Sequence, residues 1–190
     1  MITIDGGTGK ITHNSNEISL ASGTITNNGV EIASDKMHDQ WVIETTASTD
    51  GYTSDIPNNW TRSSISGAGA YLTGMSHSSG VFTFPKTGIY RVDFNFGYYR
   101  SDHRRYVGAI MELSTNSGSS YADLARTYTG LYDVDSNNSF GQTFTTTHVD
   151  VQNASTYRIR FKAFGDSPVT LYGANDDIRT TVIFERIANT

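Results

Sequence analysis

The stretch FPKTGIYRVDFNFGYY, from Phe84 to Tyr99, constrains the fold of this chain more than any other segment. Over its second half, a large apolar or aromatic side chain occupies every second position: Tyr90, Val92, Phe94, Phe96 and Tyr98. Because successive side chains of a β-strand point to opposite faces, this alternation predicts a strand with a wall of rings on one face. Such a wall suits an enzyme pocket, the core of a sandwich or the seam of an oligomer.

The chain from Trp41 onward shows the same alternation in other places. Apolar and polar residues alternate in short runs such as WVIETT, TYRIRFKAF and TTVIFER, and loops rich in Gly, Ser and Asn join these runs. Helical periodicity is absent from the sequence. About eight such strands predict an all-β fold, a two-sheet jelly roll. The segment Val149–Phe164 is predicted as a hairpin with its turn at Asn153-Ala154-Ser155.

The start of the chain has a different texture, and we predict an extended N-terminal β-arm over residues 1–40 and a jelly-roll head over residues 41–190. No aromatic residue precedes Trp41, and the apolar residues before it are too scattered to form a core. Asn28-Gly29 favours a tight turn because both residues tolerate positive φ. The arm must therefore lie on another surface, which is that of its own head, of a sister chain or of a larger assembly, and we expect four isoleucines to anchor it: Ile2, Ile4, Ile11 and Ile18.

Composition excludes several classes of protein. The 190 residues include no cysteine, which removes disulfides and thiolate metal sites, and the formal charge of −5 does not suit a dedicated nucleic-acid surface. No stretch reaches the roughly 20 apolar residues of a transmembrane helix, so we expect no membrane insertion. Aromatic residues make up 12% of the chain and therefore carry much of the energy of burial.

Three segments resemble the C1q/TNF-like jelly-roll superfamily. FTFPKTGIYRVDFNF resembles its signature, in which a strand and a turn ending in glycine lead into a Tyr- and Phe-rich strand. TYRIRFKAFG is similar to a later core strand and TTVIFERI to the closing strand, so the resemblance spans Trp41 to Ile187. It implies a C1q/TNF-like jelly-roll sandwich for the head.

The resemblance also implies a homotrimer, because such jelly rolls pack aromatic faces along a threefold axis. In this interpretation the aromatic wall fills the core of its own subunit and also supplies the seam between subunits: Tyr90, Phe94, Phe96 and Tyr98. The alternative is that all these rings fill the sandwich of a single subunit.

The opening sequence MITIDGGTGKIT resembles the start of bacteriophage structural proteins of the short-fibre and decoration types. This resemblance implies a non-enzymatic decoration or cement protein on the capsid exterior of a virion. Its arm would attach it to the major capsid protein or to another virion protein. The alternative is the receptor-binding head of a tail fibre, which would recognise a host surface glycan through aromatic residues of loops such as Tyr52 and Trp60.

No motif predicts a catalytic site or a cofactor, and we expect neither. The segment Gly7–Lys10 (GTGK) lacks the first glycine and the Ser or Thr of a phosphate-binding loop. Asp133 and Asp135 begin a pattern of alternate oxygen ligands that would suit calcium, but the glycine and the final glutamate of an EF-hand are missing. The five histidines include no pair at metal-ligand spacing.

One basic cluster stands in the sequence RSDHRRY, from Arg100 to Tyr106. Nearby tyrosines make it similar to a platform for nucleic acid, but the negative charge of the whole chain argues against that partner. We expect Arg100, Arg104 and Arg105 to pair instead with acidic groups of a neighbouring protein subunit.

Overall fold

The structure is a computed structural model in which every regular element of the described residues is a β-strand. It describes residues 2–4, 11–13, 26–27, 30–31, 37–49, 53–56, 59–64, 73–132, 135, 137–166, 168–174 and 176–190, with side chains from residue 37 onward except at position 54. No helix in these ranges is long and apolar enough to span a membrane. The chain divides into two compact units, Met1–Ser34 and Asp35–Thr190.

The first unit contains two short antiparallel pairs. Strand β1 (Ile2–Ile4) pairs with β2 (Ile11–His13), and β3 (Thr26–Asn27) pairs with β4 (Val30–Glu31). Asn27 lies opposite Val30, which is the register that the predicted two-residue turn requires. Anchoring by Ile2, Ile4 and Ile11 stays a prediction because the structure describes only their backbone, and Ile18 lies outside the described residues.

The second unit contains two antiparallel sheets. The seven-stranded sheet has the order β6-β16-β11-β17-β5-β8, with β14 also paired to β11. Its strands are β5 (Met37–Ile43), β6 (Ala47–Ser48), β8 (Trp60–Arg62), β11 (Gly88–Arg100), β14 (Ser139–Val151), β16 (Thr170–Leu171) and β17 (Thr181–Ala188). The six-stranded sheet has the order β13-β12-β15-β10-β9, with β7 also paired to β15. Its strands are β7 (Thr53–Asp55), β9 (Ser76–Ser78), β10 (Val81–Thr83), β12 (Arg104–Ser114), β13 (Ala122–Leu131) and β15 (Arg158–Gly165).

The boundary expected between residues 40 and 41 falls inside β5, which begins at Met37. The sequence Met-His-Asp-Gln does not reveal the start of the strand. Met37 and Asp39 are buried and alternate with His38 and Gln40, which are half-buried. A buried aspartate at an inward position breaks the apolar pattern that sequence reasoning follows. The head therefore starts before the predicted boundary.

The hairpin predicted over Val149–Phe164 is wrong. Strand β14 belongs to the seven-stranded sheet and β15 to the six-stranded sheet, so the chain crosses from one sheet to the other. The turn itself is present, with the backbone N–H of Thr156 donating to the carbonyl oxygen of Asn153 at 3.1 Å. Alternation predicts strands and turns, but it does not identify the strand with which each one pairs.

The aromatic wall lies between the two sheets. The side chains of Tyr90, Val92, Phe94, Phe96 and Tyr98 are all 0% exposed in the single chain. Phe94 meets Phe161 of the six-stranded sheet with ring centroids 4.8 Å apart. Phe82 and Phe184 meet in the same way at 5.2 Å. The wall is therefore the core of its own subunit, and its interpretation as a seam between subunits is wrong.

Candidate interaction surface

Among the described residues, four other aromatic side chains are exposed on or next to two strands. The exposed fractions are 69% for Tyr128, 81% for Tyr132, 58% for Phe140 and 54% for Phe144. Tyr128 lies on β13 and Tyr132 follows that strand, while Phe140 and Phe144 lie on β14. We call Tyr132, Phe140 and Phe144 the exposed aromatic edge; Tyr132 and Phe140 line one shallow depression, to which Tyr128 does not contribute. Exposed aromatic rings that lie together commonly mark interaction surfaces, because transferring them from water into an interface is favourable.

The two strands that carry this edge are linked. Strand β13 is the last strand of the six-stranded sheet, and β14 lies outside β11 in the other sheet. The hydroxyl oxygens of Thr127 and Thr143 are 2.7 Å apart and join the two strands. Thr143 points inward, so its neighbour Phe144 lies on the outer face of β14, and Phe140, four residues earlier, lies on that same face.

Phe140 belongs to a small cluster on the outer face of the seven-stranded sheet. It lies opposite Tyr99 of β11, with ring centroids 5.3 Å apart, and 4.9 Å from the ring of Tyr172. The guanidinium of Arg179 lies 4.0 Å from the centre of the Tyr172 ring and forms an ion pair with Asp177. The cluster presents apolar surface with a cation at its border.

A pocket of about 700 Å³ opens on the outer face of the six-stranded sheet. We call it the aromatic pocket and define it by Arg105, Tyr106, Arg126, Tyr128 and Phe164. The ring of Phe164 is 6.0 Å from that of Tyr106 and 6.3 Å from that of Tyr128. Arg126 lies 5.1 Å from the centre of the Phe164 ring, and Arg105 lies 5.4 Å from the centre of the Tyr106 ring. Three rings and two guanidinium groups thus share one concave surface.

Backbone features shape this pocket. Gly108 lies between Tyr128 and Phe164 in the register of the sheet. A Cβ atom there would be 2.6 Å from Cε1 of Phe164 and would also collide with the carbonyl oxygen of Thr127, so only glycine leaves room for the ring. The register of β12 and β13 also shifts between Arg104 and Val107, and such a shift redirects side chains at the edge of a sheet.

The basic cluster predicted from the sequence is largely paired within its own loops. Arg100 donates through Nε to Asp102 at 2.6 Å, and Arg104 donates to the same carboxylate. These hydrogen bonds, that of Arg100 first, lower the pKa of Asp102. Asp166 accepts from the backbone N–H of Arg105 at 2.9 Å. Contact of these three arginines with a partner stays a prediction, and the guanidinium of Arg105 is the one directed to the aromatic pocket.

Trp60 does not form a glycan-binding loop. It is 5% exposed and packs 5.8 Å from the rings of both Phe82 and Phe161, so it belongs to the core and its expected role in stacking on sugars is wrong. Tyr52 lies outside the described residues. Sequence reasoning took Trp60 for a loop residue because β8, which carries it, is only three residues long.

The calcium hypothesis has no further support. Asp135 is exposed with a φ of 55°, and Asp133 lies outside the described residues. In the part of the chain that the structure describes, no three His, Cys, Asp or Glu side chains form a group that could hold a metal ion.

No protein-family model and no curated protein sequence matches this chain. Solved structures do match it. The structure of murine APRIL at pH 8.5 has 11% sequence identity and a TM-score of 0.56, and the match covers 80% of this chain and 100% of that one. The Eiger TNF structure from S. frugiperda has 12% identity and a TM-score of 0.60, with 82% and 94% covered. The head has a TNF-like jelly-roll fold. The predicted fold class is confirmed.

Proposed function

We propose that the chain is a non-enzymatic structural protein of a phage virion, a homotrimer that decorates the capsid exterior and attaches through its N-terminal arm. The observation that carries the trimer is the exposed aromatic edge. Its three rings are exposed in the single chain although the core of the subunit is already filled. Full burial of each such ring would contribute up to about 1.5–3 kcal/mol, which favours association with a neighbouring subunit.

The C1q/TNF-like fold supports a second copy of the same chain as the proposed partner of this edge. The resemblance implies threefold assembly, and in a closed ring each subunit offers one surface to the next. The edge replaces Tyr90, Phe94, Phe96 and Tyr98 as the proposed seam, because those four rings are buried within one subunit.

The attachment through the arm is supported by two features of the sequence and the backbone. The segment Met1–Ser34 forms a compact unit of its own, and its short strands are separated by Gly- and Asn-rich segments. Short strands with few apolar residues gain most of their stability by adding to a larger surface. The proposed surface is the major capsid protein or another virion protein.

Analytical ultracentrifugation of the full chain tests the trimer. The expected mass is three times the 20.8 kDa of the subunit. The double variant Phe140→Ser/Phe144→Ser should sediment as a folded monomer, since each change removes an exposed ring and leaves the core intact. Ile187→Ser is the control, because it removes an exposed apolar side chain at the end of β17. A wild-type monomer at micromolar concentration would exclude the trimer.

A second candidate function, recognition of a host surface glycan by the head of a tail fibre, is favoured by the aromatic pocket. Exposed rings bordered by guanidinium groups offer both an apolar face and hydrogen-bond donors, as a sugar requires. Saturation-transfer NMR with a panel of neutral and acidic monosaccharides tests this function. Absence of any transfer would exclude it.

A further inference from the structure

We infer that the aromatic pocket binds an acidic sugar, whose carboxylate lies between Arg105 and Arg126 and whose ring stacks on Tyr128 and Phe164. The inference rests on the second candidate function and names the ligand class of that site. It does not depend on the proposed trimer.

Both guanidinium groups are available to an anion. Among the described residues, Arg105 has a ring but no carboxylate as the partner of its guanidinium, since Asp166 binds only its backbone N–H. Arg126 forms an ion pair with Asp123, but their side chains are 49% and 47% exposed. Exposed pairs of this kind contribute at most about 1 kcal/mol, so a carboxylate of the ligand can replace Asp123. Arginine suits a carboxylate because its planar fork can donate two parallel hydrogen bonds.

The rings supply the second half of the recognition. Tyr128 is 69% exposed and stands at the rim, while Phe164 lies at the centre of the pocket between Tyr106 and Tyr128. A pyranose ring has an apolar face of C–H groups that fits against such a surface, and its hydroxyl groups remain directed to water or to polar groups at the rim. The pocket volume of about 700 Å³ falls within the usual range of ligand sites and accommodates one or two sugar rings.

Contacts within the protein already bring the recognition groups together. The absence of a side chain at Gly108 leaves room for Phe164, and Arg126 and Arg105 each contact a ring, Phe164 and Tyr106 respectively. Contacts of this kind reduce the entropy that side chains lose on binding a small ligand.

The surrounding charges favour one carboxylate over an extended polyanion. Asp102 and Asp166 lie in the loops next to Arg104 and Arg105, and Asp123 pairs with Arg126. A nucleic acid would bring successive phosphates past these acids, at a cost in repulsion, and would need a continuous basic track. A single carboxylate meets only the two guanidinium groups.

Titration of the full chain by NMR or calorimetry tests the inference. The acidic probes are N-acetylneuraminic acid and methyl glucuronide, and the neutral probes are N-acetylglucosamine and methyl glucoside. The acidic sugars should bind at least about tenfold more tightly than the neutral ones, because a hydrogen bond to a charged group contributes about 1.5–3 kcal/mol. Added salt should weaken the binding of the acidic sugars and leave that of the neutral sugars unchanged.

Variants locate the site. Arg105→Gln and Arg126→Gln should each weaken binding about tenfold or more, and Tyr128→Ser should weaken both sugar classes. Arg126→Lys keeps the positive charge but loses the planar guanidinium group, so this variant should bind the acidic sugars with intermediate affinity. Arg158→Gln is the control, because Arg158 lies on the same strand as Phe164, about 20 Å away, and donates to backbone carbonyls of its own turn. Unchanged melting temperatures show that the variants fold.

The outcomes separate the two proposals. Equal binding of acidic and neutral sugars, abolished by Tyr128→Ser, would overturn the acidic class but keep glycan recognition. Failure of every sugar to bind would overturn both. A single-stranded oligonucleotide or inorganic phosphate could instead bind the pocket more tightly than the acidic sugars do at equal concentration. That result would overturn the inference in favour of a phosphate ligand.

Discussion

Arg62 lies over the buried carboxylate of Asp39, with its Nε atom 2.9 Å from Oδ1. Asp39 is 0% exposed and also accepts from the indole N–H of Trp41 at 2.9 Å and from the backbone N–H of Met75 at 2.6 Å. One acid thereby joins β5, β8 and the segment that leads into β9. A buried charge is tolerated only when its donors are in place, so this arrangement fixes the relative positions of three segments.

Removal of either member of this pair should destabilise the head. Arg62→Ala should lower the free energy of unfolding by about 1–3 kcal/mol, because it leaves a buried carboxylate without its counter-charge, although the Arg62 side chain itself is 43% exposed. Urea denaturation followed by fluorescence measures the loss. Arg91→Ala serves as the control, since it removes an equally exposed guanidinium from a carboxylate, Asp93, that keeps some contact with water, and it should cost about 1 kcal/mol or less. A loss below 1 kcal/mol for Arg62→Ala would contradict this account of Asp39.

The core and the edge should respond differently to the same substitution. Phe94→Ala should lower the free energy of unfolding by about 3–5 kcal/mol, because the ring is fully buried against Phe161. The same change at Phe144 should cost far less in the isolated subunit and should instead weaken trimer formation. Denaturation and sedimentation of both variants separate the two effects. If Phe94→Ala folds but no longer forms a trimer, the interface between subunits would involve the aromatic wall and not the exposed aromatic edge.

These two rings show how far the sequence predicts the structure. Both Phe94 and Phe144 lie on alternating strands, and the period of two correctly predicts that each shares a face with its neighbours. Alternation does not reveal which face is covered by the second sheet. For β11 it is the aromatic face, whereas for β14 it is the threonine face. The exposed aromatic edge was therefore missed.

The aromatic pocket could not be predicted from the sequence for a different reason. Its arginines and rings come from β12, β13 and β15. Strands β12 and β13 follow each other in the chain, but β15 comes much later and joins them only through its pairing with β12. Arg105 was singled out as a cation that contacts a partner, but Phe164 appeared only as the last residue of the run TYRIRFKAF and Tyr128 belonged to no predicted strand. The order of strands in the sheet brings them together.

Gly108 should be essential to the pocket. Gly108→Ala should lower the free energy of unfolding by about 1–3 kcal/mol, because the added Cβ would collide with the backbone at Thr127 and with the Phe164 ring. Gly130→Ala is a matched control, since the nearest atom to its added Cβ is 3.6 Å away. Thermal unfolding of both variants measures the difference. Equal stability of the two would contradict the close approach described at Gly108.

His77 should make the stability of the head depend on pH. Burial lowers its pKa below the usual 6.5, and its Nε2 accepts a hydrogen bond from the backbone N–H of Gly80 at 3.1 Å. The folded state therefore favours the neutral ring. Because the pKa is lower in the folded than in the unfolded state, this contribution is present above pH 6.5 and is lost as the pH falls through the folded pKa.

The melting temperature measured between pH 7.5 and about 5 tests this expectation. His77→Phe should flatten the decline, since it keeps a ring against Phe82 and cannot be protonated. His148→Gln should not, because His148 is exposed on β14. An equal decline in wild type and His77→Phe would assign the pH dependence to other groups.

Deletion of the first unit tests the division of labour between arm and head. A chain that starts at Asp35 keeps β5 complete and should fold as a trimer with a melting temperature close to that of the full protein, because the core residues that the structure describes all follow that point. The shortened protein should no longer bind to particles, since the proposed contacts of Ile2, Ile4 and Ile11 are gone. Co-sedimentation with capsids measures binding, and a full-length variant with all three isoleucines changed to serine is the matched control. Full occupancy of particles by the shortened head would place attachment in the jelly roll and would make Arg100, Arg104 and Arg105 the next residues to test.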